Sequence, residues 1–186
     1  MGLLDAPSYH WTVEEYLRLG KAGFLQNVRV ELLNGEIVLK APQSPRHASM
    51  VSVLMTTFIL RGNERYRVSS HCPLHLDEQS MPEPDICLLD NVTDELEAHP
   101  SVEHVYLAIE VSDSTLAFDR GSKRAAYATR KIPEYWIVNV QDKVLEVNRD
   151  PVGDRYRTTW SLGYGNDVTP LAFQDLTLRL SDLLAE

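Results

Sequence analysis

A mixed α/β fold, with a central β-sheet covered by helices on both faces, is what three features of this chain predict. One helical pattern precedes a series of short strands and another follows them, an order that sandwiches a sheet between helices. Two runs of strand length, Pro84-Asp85-Ile86-Cys87-Leu88-Leu89 and Val105-Tyr106-Leu107-Ala108-Ile109-Glu110-Val111-Ser112, are apolar and each is interrupted by one carboxylate. An Asn34-Gly35 step, the strongest two-residue hairpin signal, stands ahead of them. With 186 residues, the chain is expected to form one domain over 1–186 and to bury a sizeable core.

Each element has a local reason. Thr12 with Glu15 spells a capping box, and Gly20 is positioned to close a short N-terminal helix. Residues 29–39 read as a hairpin about Asn34-Gly35, with Val28, Val30 and Leu32 on one face and Glu31 on the other. Ser44-Pro45 supplies an N-cap and a proline at the first helical position. The helix it starts runs through the apolar stretch 50–60 and ends near Gly62. Short strands are expected at 66–69, 74–77, 85–89 and 104–112. A second helix is expected over 122–131, stopped by Pro133. Strands resume at 135–140 and 144–148 around Gln141-Asp142, and a weaker pair is expected at 156–160 and 176–180. No internal repeat or low-complexity tract interrupts this order.

Composition narrows the function classes. Hydrophobic residues make up 44% and charged residues 24%, ordinary values for a soluble globular chain. A formal net charge of −9 argues against coating nucleic acid through bulk electrostatics, while leaving room for a local basic groove. Two cysteines, Cys72 and Cys87, make no disulfide framework and suit a reducing cytoplasm. No apolar run approaches the roughly 18 residues that span a membrane. The opening Met1-Gly2-Leu3-Leu4-Asp5-Ala6 lacks the pattern of a signal peptide and the hydroxyl residue of a myristoylation motif. A cytoplasmic location is expected.

The two strand carboxylates carry the chemistry. A charge in a buried strand is costly unless a cation or a partner neutralises it. Side chains alternate along a strand, so Glu110 and Ser112 share one face and Ile109 and Val111 the other. If the strands of Asp85 and Glu110 are neighbours, two carboxylates meet at one spot, which suits a hard divalent cation. Plainer roles exist for each residue. Asp85 can cap the turn after Glu83-Pro84. Glu110 can form a buried ion pair with an arginine. Glu31 can pair across the hairpin with Lys40. His47 can be an ordinary helix-start residue, and Lys123 can lie on a solvated face. The spacing of His71, Cys72, His75 and Cys87 fits no strong zinc template. Arg120, Lys123, Arg124, Arg130 and Lys131 form a basic cluster that could offer an edge to phosphates.

In the nuclease superfamily with the Asp…(Asp/Glu)-x-Lys signature, a lysine stands two residues after the second acid. Here that position is Ser112. The nearest substitute is Lys123, in the first turn of the following helix, which should begin near the carboxyl end of the strand. The chain resembles the Uma-type family of restriction endonucleases, formerly a domain of unknown function, within that superfamily. The resemblance runs in order through Val30-Glu31-Leu32-Leu33-Asn34-Gly35-Glu36, Ser44-Pro45-Arg46-His47 and Pro84-Asp85. It continues through Ile109-Glu110-Val111-Ser112-Asp113-Ser114-Thr115, Asp119-Arg120-Gly121-Ser122-Lys123 with Tyr127, and Ile132-Pro133-Glu134-Tyr135-Trp136-Ile137-Val138. Asn139 departs from the aspartate common there. The resemblance implies a restriction-endonuclease-like sheet and a metal-dependent site that cleaves DNA.

Carried over residue by residue, Asp85 and Glu110 would hold Mg²⁺, or Mn²⁺ in its place, helped by the backbone carbonyl of Val111. Lys123 would stabilise charge on the phosphate or orient water. Glu31 would complete the acidic cluster, and His47 would face the same cleft. Pairing as a homodimer is a further expectation from resemblance alone. Two other readings stay open. Ser112 in place of lysine and the acidic net charge suit a DNA- or protein-binding module that keeps the fold without turnover. A metal-dependent phosphoesterase acting on RNA or nucleotides would use the same groups.

Overall fold

The computed structural model of the protein describes residues 8–62, 64–91 and 98–183. The N-terminal hexapeptide read above for signal and lipidation motifs lies outside them. Helix α1, Val13–Lys21, starts on the expected capping box: Thr12 Oγ1 accepts from Glu15 N at 3.3 Å, and Thr12 N donates to Glu15 Oε2 at 2.9 Å. It runs through Gly20 to a cap at Ala22, and the left-handed turn falls instead on Gly23, with φ 86°.

Strands β1 (Val30–Leu33) and β2 (Glu36–Leu39) form the hairpin. Asn34 and Gly35 both take positive φ, 52° and 79°, as a two-residue turn of this kind requires. A Cβ on Gly35 would come within 2.6 Å of His10, so the position needs glycine for space as well as for conformation. All four β1 residues are buried, Glu31 among them. Strand β1 is therefore covered on both faces, while β2 lies at the surface with Glu36 and Leu39 exposed.

Helix α2 (Pro45–Gly62) begins where Ser44-Pro45 places it, with Ser44 Oγ accepting from His47 N at 3.1 Å. The main sheet follows, in spatial order β3 (Arg67–Ser70), β4 (Ile86–Leu89), β5 (Val105–Ser112), β6 (Glu134–Asn139), β7 (Val144–Val152) and β8 (Arg155–Gly163). Only β5 and β6 run parallel; the other four pairings are antiparallel. The parallel pair needs a crossover, and the helical segment between the two strands provides it.

Three expectations change. Residues 74–77 form no strand; they make isolated bridges, His75 to Ser101 and Asp77 to Ser80, and the loop folds back on itself. Residues 156–160 do not pair with 176–180. They belong to β8, which pairs along its length with β7, the neighbour a short turn brings alongside. Residues Leu178–Arg179 form β10, which pairs with β9 (Asp167–Val168) in a separate small sheet leading into α5 (Leu180–Leu183). The second helix starts earlier than 122. It comprises α3 (Leu116–Phe118), a π-helical turn Asp119–Lys123 and α4 (Arg124–Thr129). That widened turn buries both Asp119 and Lys123, and such turns are frequent at functional sites.

The sheet has a core on each side. Leu54 and Phe58 of α2 pack with Ile86, Leu107, Ile109 and Trp136. On the other face Tyr127 of α4 packs with Cys87, Ala108, Tyr135 and Ile137. Side chains of this size each contribute roughly 1.5–3 kcal/mol when fully buried, so the two layers fix the sheet ends that carry the polar groups.

Candidate active site

Strand register brings the acids together. Ile86 of β4 lies opposite Ile109 of β5 in antiparallel pairing, so one step before β4 sets Asp85 against Glu110. By alternation Asp85 and Glu110 project to the face of Cys87 and Ala108, the face covered by α3, the π turn and α4. The ladder between β4 and β5 ends there, and Val111 N donates instead to Asp85 Oδ2 at 2.8 Å. Within a strand, the N–H and C=O of one residue point to the same side, so the Val111 carbonyl is directed past the start of β4 as well.

Lys123 reaches in from the π turn. Its Nζ lies 2.8 Å from Glu110 Oε1 and 3.2 Å from Glu31 Oε1, and all three side chains are buried. Tyr127, one turn on, donates its hydroxyl to the same Glu110 Oε1 at 2.9 Å. Glu31 is held from its other oxygen by Glu83 N at 3.0 Å. Lys40 is 4.0 Å from Glu31 and sits closer to Glu83, at 3.1 Å, so the cross-hairpin pair is the weaker of the two. No hydrogen bond from a described residue reaches Glu110 Oε2, and Glu110 lines a hollow of about 260 Å³ together with Glu31, Asp85, Val111, Asp119 and Lys123.

His47 comes from the other side. Helix α2 packs on the opposite face of the sheet, but its first turn overhangs the sheet end, and His47 Nε2 lies 3.0 Å from Asp85 Oδ2. His71 flanks the same carboxylate, with Nδ1 3.4 Å from Asp85 Oδ1 though out of hydrogen-bond alignment. The two imidazoles stack at 6.2 Å, and Gln43 Nε2 meets His71 Nε2 at 3.1 Å. His71 takes a left-handed backbone, φ 51°, a conformation that costs a non-glycine residue about 1–3 kcal/mol and recurs at functional sites.

Ser112, at the position of the signature lysine, has its own partner. Its hydroxyl donates to Asp119 Oδ2 at 2.5 Å, as does Thr115 Oγ1 at 2.6 Å. Asp119 lies four residues before Lys123 and lines the same hollow. The short side chain at position 112 thus anchors the helix that delivers the amine.

The electrostatics follow from burial and company. Desolvation pushes the Glu110 carboxyl up to about 8, against the pull of Lys123 and with the help of Asp85, Asp119 and Glu31. Burial alone would pull the Lys123 ammonium down, but Glu110, Glu31 and Asp119 together hold it above its ordinary range. For Asp85, burial raises the carboxyl, yet the His47 hydrogen bond and charge and the Val111 N–H bring it below the usual value. Desolvation also raises Asp119, despite Lys123 and its two hydroxyl donors.

All five predicted side chains, Asp85, Glu110, Lys123, Glu31 and His47, converge on one cleft. Three participants escaped notice in these roles. Asp119 stood in the motif without an assigned part, although its spacing of four from Lys123 on a helix puts both on one side. Tyr127 stands in the motif with no role that its neighbours in sequence suggest. His71 belongs to the His/Cys group that fits no zinc template, and nothing in its sequence context points to Asp85. The basic cluster disperses: Arg120 donates to Glu146 through Nε and Nη2, Arg130 pairs with Asp77, and Lys123 turns inward. Among the described residues, no group of three or more His, Cys, Asp or Glu is gathered as a ready cage for a metal ion. Nor, among those residues, is any helix long and apolar enough to cross a membrane.

No protein of curated function matches the sequence. A solved structure from Anabaena variabilis, described as "a putative nuclease belonging to DUF820", superposes with a TM-score of 0.72 at 16% identity. The likeness covers 94% of this chain and 97% of that one, which establishes the shared fold. Residues 13–181 match the family Uma2, described as "Putative restriction endonuclease", and the chain belongs to that family.

Proposed function

We propose that this protein is a divalent-metal-dependent endonuclease that hydrolyses DNA phosphodiester bonds in the cleft of Asp85 and Glu110. The observation that carries the reading is the convergence of two strand carboxylates, a third acid and one buried amine at the end of a sheet shared with a nuclease family. The donor set is oxygen, the chemistry that hard cations prefer, and Glu110, which lines the cleft, takes its hydrogen bonds from described residues on Oε1 alone. Asp85, Glu110 and the Val111 carbonyl would hold Mg²⁺, with Mn²⁺ as a substitute. Two carboxylates suffice, because Mg²⁺ keeps several waters and takes further ligands from phosphate rather than from an all-protein cage. Once bound, such an ion polarises a phosphodiester and lowers the pKa of a coordinated water.

The protein's own groups have separate tasks. Lys123 places a fixed positive charge beside the acids, where negative charge develops on phosphate. Glu31 and Asp119 keep that ammonium charged and aimed. His47 holds Asp85 Oδ2 together with the Val111 N–H, so the carboxylate is oriented before any ligand arrives. Ser112 and Thr115 fix Asp119 and thereby the π turn.

The test is nicking of supercoiled plasmid with Mg²⁺ or Mn²⁺, comparing wild type with Asp85→Ala and Glu110→Ala. Cleavage by the wild type alone is expected; equal activity in all three proteins would refute the reading. A second reading, a binding module without turnover, draws on one observation: Lys123 already lies against both Glu110 and Glu31, so the cluster carries a cation of the protein's own. Titration calorimetry with Mn²⁺ separates the two, since that module would release no heat of metal binding.

A further inference from the structure

Every cation lining the acidic hollow is spent on a carboxylate, with one exception. Lys123 is buried against Glu110 and Glu31, and Lys40 pairs with Glu83. Arg29 lines the same hollow, is exposed, and forms no ion pair among the described residues. Its position is firm, because Arg29 O accepts from Lys40 N at 2.8 Å across the hairpin. A polyanion approaching five acids would meet this guanidinium as the first uncommitted positive charge.

A second hollow, of about 790 Å³, abuts the first. Ser44 lines one and Pro45 the other. Asp113 of the first hollow accepts from Ser44 Oγ at 2.5 Å, and its backbone oxygen accepts from Gln141 Nε2 of the second at 2.6 Å. Two exposed cations line this neighbour, Arg46 in the first turn of α2 and Lys143 in the turn before β7. Neither makes an ion pair among the described residues, and the helix turn that carries Arg46 has no acidic residue. Arg46 acts at a distance on Asp113, whose carboxyl is held low by the Ser44 hydrogen bond first and by Gln141 and Arg46 after it.

We infer that a DNA backbone crosses the acid cluster along this pair of hollows, gripped by Arg29 on the hairpin lip and by Arg46 with Lys143 on the far lip. The inference rests on the nuclease reading and adds to it the binding surface. Guanidinium groups pair with phosphate oxygens bidentately, so two arginines at opposite lips can set the register of a strand while the acids stay with the reacting phosphate. An acidic chain can bind nucleic acid this way, because affinity depends on the contacted patch rather than on net charge.

The experiment uses full-length Glu110→Gln, so that no cleavage intervenes, and the anisotropy of a fluorescein-labelled 20-base-pair DNA duplex over a range of salt. Added to that background, Arg29→Ala should weaken binding about three- to tenfold and lower the slope of log affinity against log salt by roughly 0.9. The pair Arg46→Ala and Lys143→Ala should lower the slope by roughly twice that, one increment for each lost phosphate contact. Arg157→Ala, at an exposed arginine on β8 that lines neither hollow, should change neither quantity. Track variants whose slopes equal that of Arg157→Ala would overturn the track while leaving the nuclease reading intact. Failure of the Glu110→Gln protein itself to retain duplex DNA, at salt low enough for any phosphate contact, would remove the DNA reading and the track together. Retention of an RNA hairpin but not of the DNA duplex would overturn the assigned occupant.

Discussion

Glu110 and Glu134 are both buried carboxylates in apolar segments of neighbouring parallel strands, yet they are built differently. Register sets Ala108 opposite Tyr135, so Glu134 lies at the start of β6 and Glu110 near the end of β5. Alternation sends them to opposite faces. Glu134 is fully committed: Oε1 accepts from Trp136 Nε1 at 2.8 Å and Arg149 Nε at 2.8 Å, and Oε2 accepts from Leu171 N at 2.6 Å. Arg149 in turn stacks over Trp160 at 5.0 Å and donates to Thr169 O, stitching the 164–180 segment to the sheet. Glu110 receives one ammonium and one hydroxyl on a single oxygen, shares that ammonium with Glu31, and lines a cavity. A carboxylate with both oxygens answered by the protein holds a fold together. One left partly unanswered beside a cavity is available for chemistry.

The sharpest way to break this contrast is at the structural end. Glu134→Ala strands a buried guanidinium, an indole N–H and a backbone N–H, and should cost about 3–5 kcal/mol in urea unfolding. Glu110→Gln should reverse the pattern, with plasmid nicking falling on the order of a hundredfold and stability changing by only about 1 kcal/mol, because Lys123 keeps Glu31. If the Glu110 variant loses as much stability as the Glu134 variant, the two carboxylates do the same job and the contrast dissolves.

A smaller effect sharpens the site end alone. Ser112→Ala removes one of the two hydroxyl donors to Asp119 and should lower stability by about 1 kcal/mol, with a matching loss of nicking. Unchanged activity would mean that Asp119 has no part in presenting Lys123. The smallest effect is in pH. The Glu110 carboxyl, at about 8 against an ordinary 4.5, keeps its proton in the folded chain where the unfolded chain has released it. In the presence of chelator the stability that this carboxyl contributes should therefore be full below about pH 4.5 and be lost as pH rises toward about 8, while the depressed carboxyl of Asp85 loses its own contribution only in more acidic solution. Burial raises Glu134 as well, so Glu110→Gln should flatten this fall without abolishing it. A wild-type urea midpoint that rises across that window would contradict the sign.

Much of this architecture could be read along the chain because its signals are local. The Thr12–Glu15 capping box, the Asn34-Gly35 turn and the Ser44-Pro45 helix start each act within four residues, and each stands where it was read. The apolar runs around Asp85 and Glu110 also declared themselves as strands, since burying a lone carboxylate in such a run demands a reason. Other features depended on what folding brings near. Nothing local tells that β8 will pair with β7 rather than with 176–180, or that 74–77 will fold back on itself.

The sequence by itself determined which side chains carry the charge and on which face of which strand Glu110 would stand, because strand alternation is a property of the backbone. Only the tertiary structure decided that Lys123 serves Glu110 from a π turn, that Asp119 is held by Ser112, and that His71 flanks Asp85 across the end of the sheet. Those pairings join residues 7 to 14 positions apart through a strand end, a widened helix turn and a left-handed loop. Packing sets their distances, and no local pattern encodes it.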